Sequence, residues 1–313
     1  MIITVTMNPA IDKTAEVNTF LHGELNRLTK VEIDAGGKGI NVSKTIRELG
    51  GTTLATGFLG GSGGAVIASV LKKLSIPEHF IQVDGETRTN MKLVEPGGVL
   101  TELNEPGPII GKEQVETLLN DLVELAGPDI WFVLAGSIPA GVKPDIYERI
   151  IRAVKEKGAS VFLDADGELF RRALEAGPNL IKPNKFELEQ YFGVSDANEL
   201  DLIYMGKKLM DKGVQMTVIS MGNEGAMFVT KDQIYRVPGL SVEARSTVGA
   251  GDAMVAALTY GMEQKYDLKT CIRLGVAASA GAVMTEGTKP PARETVDRLM
   301  ALVEIENICL LED

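Results

Sequence analysis

The sequence predicts an α/β protein in which a mostly parallel sheet is covered by helices on both faces. From residue 113 onward, short apolar runs alternate with longer segments that have the period of helices. Strands that alternate with helices form parallel sheets, and such sheets are buried on both sides. Two segments, 13–34 and 89–103, break this alternation and favour a small separate sheet. There is no internal repeat or linker, so we treat residues 1–313 as one domain.

The first half of the chain begins with an apolar strand, 2–6. Within 13–34, Val31 and Ile33 alternate with charged residues, as in a strand with one solvated face. Within 89–103, two alternating runs flank the turn Glu95-Pro96-Gly97-Gly98, which is typical of a hairpin. The other elements predicted here are a helix ending near Leu49, strand 52–57, a glycine-rich turn at 60–64, helix 65–74 and strand 80–83.

The second half alternates more regularly between strands and helices. The predicted strands are 130–135, 160–164, 180–182 and 216–220, followed by a hairpin of 225–229 and 233–237. The predicted helices are 113–125, 145–157, 167–176, 185–192, 199–212, 250–264, 268–286 and 292–304. Polar or glycine-rich sites follow several strands, at 8–12, 136–137, 164, 182–187 and 220–222. Ligands of open α/β sheets bind beyond the carboxyl ends of the strands, so these sites indicate one binding region.

Composition limits the classes of function. A net charge of −11 and a pI near 4.9 argue against nucleic acid as a main partner. The amino terminus lacks a basic signal region and no apolar run reaches membrane-spanning length, so we expect a soluble, cytoplasmic protein. The two histidines, His22 and His79, lie in no reactive context, which disfavours a histidine-dependent hydrolase. Acid–base chemistry therefore falls to carboxylates.

The segment 246–258 combines a glycine-rich turn with the start of an apolar helix. Gly249, Ala250 and Gly251 let a ligand approach the backbone, and the unpaired N–H groups of a helix start attract an anion such as phosphate. Asp252 places a carboxylate where the anion would sit. We interpret it as a general base that takes a proton from an attacking hydroxyl. The alternative is an ordinary N-capping residue.

A second glycine-rich turn, Gly36-Gly37-Lys38-Gly39-Ile40-Asn41, also opens a helix. It could hold a sugar, with Asn41 bonding hydroxyls and Lys38 pairing with a phosphate, or it could be only a tight turn. Neither this turn nor 61–63 completes a dinucleotide fingerprint, and the chain has no Walker P-loop. Arg27, Lys38 and Arg88 lie in or beside the two irregular segments. They could surround one phosphate, or they could be solvated surface charges.

The segment 182–187 places Asn184 and Glu187 on one face of the first turn of a helix. One interpretation is a capping box, in which each side chain satisfies a backbone N–H group. The other is a site for a hydrated Mg²⁺ ion that bridges nucleotide phosphates. Asp164, at the end of a predicted strand, could contribute to that ion through water.

Four motifs together resemble the ribokinase-like carbohydrate kinase family, in the order in which that family carries them. They are Asn8-Pro9-Ala10-Ile11-Asp12, Gly36–Asn41, Lys182–Glu187 and Thr247–Asp252. The Gly-Gly-Lys-Gly-Ile-Asn form, with Thr87-Arg88-Thr89-Asn90, is most similar to the branch of 1-phosphofructokinases and tagatose-6-phosphate kinases, and within it to the 1-phosphofructokinases.

The resemblance implies a three-layer α/β/α sandwich with a small β-sheet lid formed by about 13–34 and 88–104. It also implies ATP, Mg²⁺ and a homodimer formed through the lid. Asp252 matches the catalytic base, and the backbone of Gly249, Ala250 and Gly251 matches the anion hole. The positions matched to the sugar and its phosphate are Asp12, Arg27, Gly37, Lys38, Asn41, Arg88 and Asn90. The positions matched to the nucleotide are Lys182, Asn184, Ser220, Gly222, Thr247, Gly249 and Gly251, with Asn184 and Glu187 also matched to the metal.

The resulting hypothesis is an ATP-dependent kinase that converts fructose 1-phosphate to fructose 1,6-bisphosphate. Tagatose 6-phosphate, converted to tagatose 1,6-bisphosphate, is the alternative substrate. A sugar-phosphate sensor without turnover is disfavoured because Asp252 and the glycines are intact. A nicotinamide-dependent oxidoreductase is disfavoured by the incomplete fingerprint. The expected partners are a sugar phosphate and ATP, with no nucleic acid and no membrane.

Overall fold

The computed structural model describes residues 1–97 and 99–309, which form two β-sheets and ten helices. The strands are β1 (Ile2–Thr6), β2 (Ala10–Glu16), β3 (Lys30–Gly36), β4 (Thr53–Leu59), β5 (Glu78–Gln82), β6 (Arg88–Val94), β7 (Leu100–Asn104), β8 (Trp131–Ala135), β9 (Ser160–Asp164), β10 (Leu180–Ile181), β11 (Met216–Ser220), β12 (Ala226–Thr230), β13 (Ile234–Val237) and β14 (Glu306–Asn307). The helices are α1 (Lys38–Glu48), α2 (Gly61–Lys73), α3 (Lys112–Leu125), α4 (Ile146–Glu156), α5 (Gly167–Leu174), α6 (Lys185–Phe192), α7 (Glu199–Met210), α8 (Ala250–Glu263), α9 (Leu268–Val283) and α10 (Arg293–Met300).

The large sheet has ten strands in the order β14-β13-β12-β11-β10-β9-β8-β1-β4-β5. Neighbouring strands from β5 to β11 pair in parallel, and β12, β13 and β14 add an antiparallel edge. Helices α3 to α7 pack on one face in one hydrophobic core. Helices α1, α8, α9 and α10 pack on the other face in a second core. The predicted three-layer α/β/α sandwich is therefore confirmed.

The small sheet, which we call the lid, has the order β3-β2-β6-β7. Its register gives the two faces different chemistry. One row across the four strands is Asp34, Asp12, Asn90 and Asn104. The next row, on the opposite face, is Ile33, Lys13, Met91 and Leu103. We call the face with Asp12 the inner face, because Asp12 and Asn90 line the main cavity.

The start of α2 differs from the prediction. The predicted turn at 60–64 is the first turn of the helix, which begins at Gly61. The N-cap residue Gly60 has no side chain to cap α2. Instead, the Glu86 carboxylate accepts hydrogen bonds from the backbone amides of Ser62 and Gly63 at 3.2 and 3.3 Å. A cap supplied from 24 residues away satisfies the free N–H groups that the local sequence leaves open.

Two further differences concern strands. Strand β2 begins at Ala10 and pairs along its whole length with β3 and β6, although its sequence has no clear strand pattern. Strand β14 pairs with β13 and was not predicted. The predicted turn at 95–98 includes Gly98, which lies outside the described residues. Within the described ranges, every helix is too short or too polar to cross a membrane.

Candidate active site

Helix α8 begins at Ala250 and follows Gly249, whose φ of +84° lies in the left-handed region that glycine adopts without strain. Gly249, Gly251 and Asp252 line the main cavity at this end of the helix, and no side chain caps it. Asp252 therefore does not act as an N-cap, and the alternative interpretation of this residue is wrong. An uncapped helix start carries partial positive charge, and it suits a phosphoryl group.

Asp252 is buried at 7% exposure, and its Oδ2 atom accepts a 2.9 Å hydrogen bond from Asn41 Nδ2. Burial, together with the negative charge of Asp164, raises the pKa of Asp252 to about 6. Lys38, Asn41 and Lys182 oppose this shift because each favours the ionised carboxylate. The carboxylate is therefore mostly ionised at neutral pH, and it is more basic than an exposed aspartate.

Asp164, the last residue of β9, lies between two lysines. Lys38 begins α1, and Lys182 follows β10. Its Oδ2 atom is 3.3 Å from Lys38 Nζ, and its Oδ1 atom is 3.4 Å from Lys182 Nζ. Burial alone would raise the pKa of Asp164, but the charges of Lys182 and Lys38 outweigh it and lower the pKa. Asp164 in turn raises the pKa of Lys38. Both distances exceed those of tight charge-assisted hydrogen bonds, so both ammonium groups can turn toward a phosphate.

The inner face of the lid brings polar side chains over the cavity. Asp12 accepts from Asn90 Nδ2 at 3.3 Å and from Lys92 Nζ at 3.2 Å. Arg88 is held by backbone carbonyls, since its Nε and Nη2 atoms donate to Asn8 and its Nη1 atom donates to Glu105. These contacts fix a carboxylate, an amide and two cations on one surface, which suits a hydroxylated anion.

The first glycine-rich turn lies beneath this surface. A Cβ atom on Gly36 would come within 2.5 Å of the Asp12 carboxylate, so a side chain at this position would displace that carboxylate. Helix α1 then starts at Lys38, and Asn41 lies in its first turn. Buried Asn41 Oδ1 and Asn90 Oδ1 have no hydrogen-bond partner among the described residues. Both are acceptors that substrate hydroxyl groups could satisfy.

These groups meet around one cavity of about 440 Å³. Six residues predicted from the lid and the first glycine-rich turn line this cavity: Asp12, Gly37, Lys38, Asn41, Arg88 and Asn90. Five residues predicted near the large sheet and α8 also line it: Asp164, Lys182, Gly249, Gly251 and Asp252. The sequence analysis did not propose Lys92, Glu102, Asn104 or Thr288, which also line it. The alternation of Arg88, Asn90 and Lys92 was the signal that would have revealed Lys92.

Asn184 and Glu187 form the capping box that was one of their two interpretations. The Asn184 side chain accepts from Glu187 N at 2.8 Å, and Glu187 Oε2 accepts from Asn184 N at 2.9 Å. The box uses only Oε2 of the Glu187 carboxylate, and the nearby negative charge of Glu187 contributes to the raised pKa of Lys38. Within the described residues, no cluster of three or more His, Cys, Asp or Glu side chains could hold a metal ion.

Besides Ala250, Asn184 and Glu187, four expected residues are absent from the described lining of the main cavity. Ser220 forms a parallel bridge with Asn184, and Gly222 begins a short 3₁₀ turn just after it. Thr247 lines a neighbouring cavity of about 340 Å³. Arg27 is exposed in the segment between β2 and β3, and the described lining of these cavities does not include it.

A buried carboxylate beside an uncapped helix start, facing a polar lid, is the arrangement expected of an enzyme that transfers a phosphoryl group to a hydroxyl group. Comparison with known proteins is consistent with this class. The chain belongs to the pfkB family of carbohydrate kinases, whose family profile matches residues 3–295.

Relatives and solved structures match almost the whole chain. It is 36% identical over 310 residues to the 1-phosphofructokinase of Bacillus subtilis, covering 98% of this chain and 100% of that protein. Phosphofructokinase-2 from Escherichia coli in complex with fructose-6-phosphate is 27% identical, with a TM-score of 0.90 and coverage of 96% and 98%. The tetrameric inhibited form of that protein is 28% identical, with a TM-score of 0.89 and the same coverage.

Proposed function

We propose that this carbohydrate kinase transfers the γ-phosphoryl group of ATP to the C6 hydroxyl of fructose 1-phosphate, giving ADP and fructose 1,6-bisphosphate. The observation that carries the proposal is the position of Asp252, a buried carboxylate that lines the cavity beside the amides of the α8 start. Similarity to the Bacillus subtilis 1-phosphofructokinase over nearly the whole chain supports the substrate.

In the proposed reaction, Asp252 accepts the proton of the C6 hydroxyl as its oxygen attacks the γ-phosphorus. The new O–P bond forms while the bond between the γ-phosphorus and the bridging oxygen breaks, and ADP carries away the negative charge. The amides of Gly249, Ala250 and Gly251, with Lys182, stabilise the charge on the transferred group. Lys38, which the resemblance assigns to the sugar phosphate, is grouped with them here because it and Lys182 both pair with Asp164. The proton on Asp252 then passes to solvent.

The lid and α1 position the sugar. Asp12 and Asn41, with Gly37 and Asn90, bind the hydroxyl groups of the sugar in this proposal. Arg88 binds the phosphate that the substrate already carries. We also assign Arg27 to this phosphate end, although its side chain is exposed in the isolated chain.

The nucleotide lies on the side of the large sheet. Lys182 contacts the nucleotide phosphates, and Asn184, Ser220, Gly222 and Thr247 border the remainder of ATP. The bridge between Ser220 and Asn184 supports this grouping, since it places the ends of β11 and α6 side by side.

Mg²⁺ would be held mainly by the nucleotide phosphates and by water. The residues present fit this arrangement, because Glu187 Oε1 is not used by the capping box and Mg²⁺ retains several waters in such sites. Asn184 and Glu187 would contact its waters. Asp164 fits less well, since both of its oxygens face lysines. When bound, the ion would neutralise charge on the phosphates.

We also propose that two chains form a homodimer through the lid. The outer face of the lid exposes apolar side chains, with Val31 at 43%, Ile33 at 62% and Leu103 at 53% exposure. Apolar side chains grouped on one sheet face are typical of an interface. A dimer of this kind would also bring Arg27, which lies in the segment between β2 and β3, near the second chain.

An assay of ADP release with a panel of acceptors tests the proposed function. We expect kcat/KM to be highest for fructose 1-phosphate, with tagatose 6-phosphate, fructose 6-phosphate and fructose as competitors. A higher value for tagatose 6-phosphate would overturn the substrate assignment. No ADP release with any acceptor would overturn the kinase proposal.

A further inference from the structure

Lys92 is a buried cation on the inner face of the lid that the proposed reaction does not use. It follows Arg88 and Asn90 at two-residue intervals on β6, so all three side chains lie on one face of the strand. Its exposure is only 7%. A lysine is rarely buried unless a partner compensates for the lost hydration of its charge.

The bonding of Lys92 is incomplete. Its Nζ atom lies 3.2 Å from Asp12 Oδ2, and this is its one hydrogen-bond acceptor within the residues that the structure describes. An ammonium group carries three donors, so two remain available. Glu102 stands directly opposite Lys92 in the strand register, but the two do not form an ion pair within the described residues. Lys92 can therefore donate to another anionic oxygen.

The location of Lys92 suggests which anion that would be. Lys92 lines the main cavity, which also contains Asp252 and the amide groups of the α8 start. It also lines the neighbouring cavity, whose wall includes Ser246, Thr247 and Val248. That loop leads directly to Gly249. Lys92 thus stands at the boundary between the space for the sugar and the loop before the anion hole.

Building on the proposed function, we propose that Lys92 is a further phosphate-binding residue of the active site. In the free protein, Asp12 holds the ammonium group in place. When the reactants bind, the ammonium group also contacts an oxygen of a phosphate group. That group belongs either to the sugar phosphate or to the end of the nucleotide, since both spaces border Lys92.

A purely structural role for Lys92 has different consequences. If Lys92 only holds Asp12, its loss weakens binding of the sugar whether or not the sugar carries a phosphate. If Lys92 binds phosphate, its loss weakens the phosphorylated ligand selectively. The ratio of two affinities therefore separates the roles, where a single affinity does not.

The test compares wild type with Lys92→Met, which removes the charge and keeps the length of the side chain. Dissociation constants are measured for fructose 1-phosphate against fructose, and for a non-hydrolysable ATP analogue against ADP. We expect one preference to fall at least tenfold. A smaller preference for fructose 1-phosphate over fructose assigns Lys92 to the sugar phosphate. A smaller preference for the ATP analogue over ADP assigns it to the terminal nucleotide phosphate. Unchanged ratios for both pairs overturn the proposal.

Two controls complete the test. Lys72→Met removes an exposed lysine in the last turn of α2, outside the described lining of these cavities, and should leave both ratios unchanged. Lys92→Arg keeps the charge and should retain most of the affected preference. If Lys92→Met does not fold, Lys92→Gln, which can still donate to Asp12, carries the same comparison. An active wild type with unchanged ratios refutes only the role of Lys92, whereas an inactive wild type refutes the proposed function.

Discussion

Asn41 Nδ2 donates a 2.9 Å hydrogen bond to Asp252 Oδ2, joining the first turn of α1 to the first turn of α8. The two residues are separated by 211 positions in the chain. This bond orients the carboxylate toward the cavity and leaves Asn41 Oδ1 available to a substrate hydroxyl. It therefore connects the residues proposed for sugar binding with the proposed base.

The first prediction concerns pH. Because the pKa of Asp252 is raised to about 6, the carboxyl group is protonated below that pH and cannot accept a proton. We expect kcat/KM for the sugar phosphate to fall tenfold per pH unit below about pH 6. Measuring kcat/KM from pH 4.5 to pH 8 gives this acidic limb of the pH profile. A limb near the ordinary aspartate pKa, about 4, would contradict the assignment.

Lys38→Met provides a control for this profile. Lys38 lowers the pKa of Asp252, so its removal should shift the acidic limb to higher pH. The phosphate group of the substrate also titrates near pH 6, but it does so equally with both proteins. A difference between the two profiles therefore belongs to the protein. Coincident profiles would show that Lys38 does not influence the base.

The second prediction concerns stability. A carboxyl group whose folded pKa lies above its unfolded value destabilises the fold once the pH exceeds the unfolded value, and the cost is complete above the folded pKa. For Asp252 the shift is about two pKa units, worth up to about 3 kcal/mol. Asp252→Asn should therefore increase the free energy of unfolding by about 1–3 kcal/mol at pH 8. Urea titrations measure this, and a loss of stability would contradict the buried, ionised state.

The sequence was sufficient for much of the fold because its signals are local. The apolar strands of the large sheet and the glycine-rich starts of α1 and α8 each depend on a few neighbouring residues. Strand β2 was missed because Asp12 lines the main cavity and Thr14 and Glu16 line the neighbouring one, so burial there does not follow an apolar pattern. The cap that Glu86 gives α2 was missed because it comes from another segment.

The residues of the candidate site were predictable from the sequence only where a short local motif contains them. Motifs indicated Asp252, Asn41 and Lys38 as single residues. The ion pairs of Asp164 and the contact of Lys92 with Asp12 depend on the packing and register of segments far apart in sequence. No pattern within one segment specifies such pairs. The alternation along β6 places Lys92 on the same face as Arg88 and Asn90, but its contact with Asp12 depends on the pairing of β2 with β6.

The third prediction separates the two roles of Glu187. Glu187→Gln keeps an oxygen that can accept from Asn184 N, but it removes the charge. We expect stability to change little and the Mg²⁺ concentration for half-maximal activity to increase several-fold. Asn184→Ala, which removes the N-cap, should instead cost about 1 kcal/mol of stability. An unchanged Mg²⁺ requirement in Glu187→Gln would limit Glu187 to the capping box.

The fourth prediction tests the lid as an interface. Ile33→Glu places a charge on the exposed outer face of the lid, and burying that charge in a dimer would be costly. Sedimentation velocity should show a shift from dimer to monomer. Val66→Glu, at an exposed apolar position on α2, is the control and should leave the dimer intact. A monomeric wild type, or a dimer that Ile33→Glu does not affect, would exclude this interface.

The fifth prediction concerns the central claim, that Asp252 is the base for phosphoryl transfer. Asp252→Asn keeps the size of the side chain and an acceptor for Asn41, so the fold and substrate binding should persist. The most direct measurement is the rate of ADP release by this variant with saturating fructose 1-phosphate and ATP. We predict that kcat falls at least about 10²-fold while the KM values change little. A kcat close to that of wild type would contradict the account.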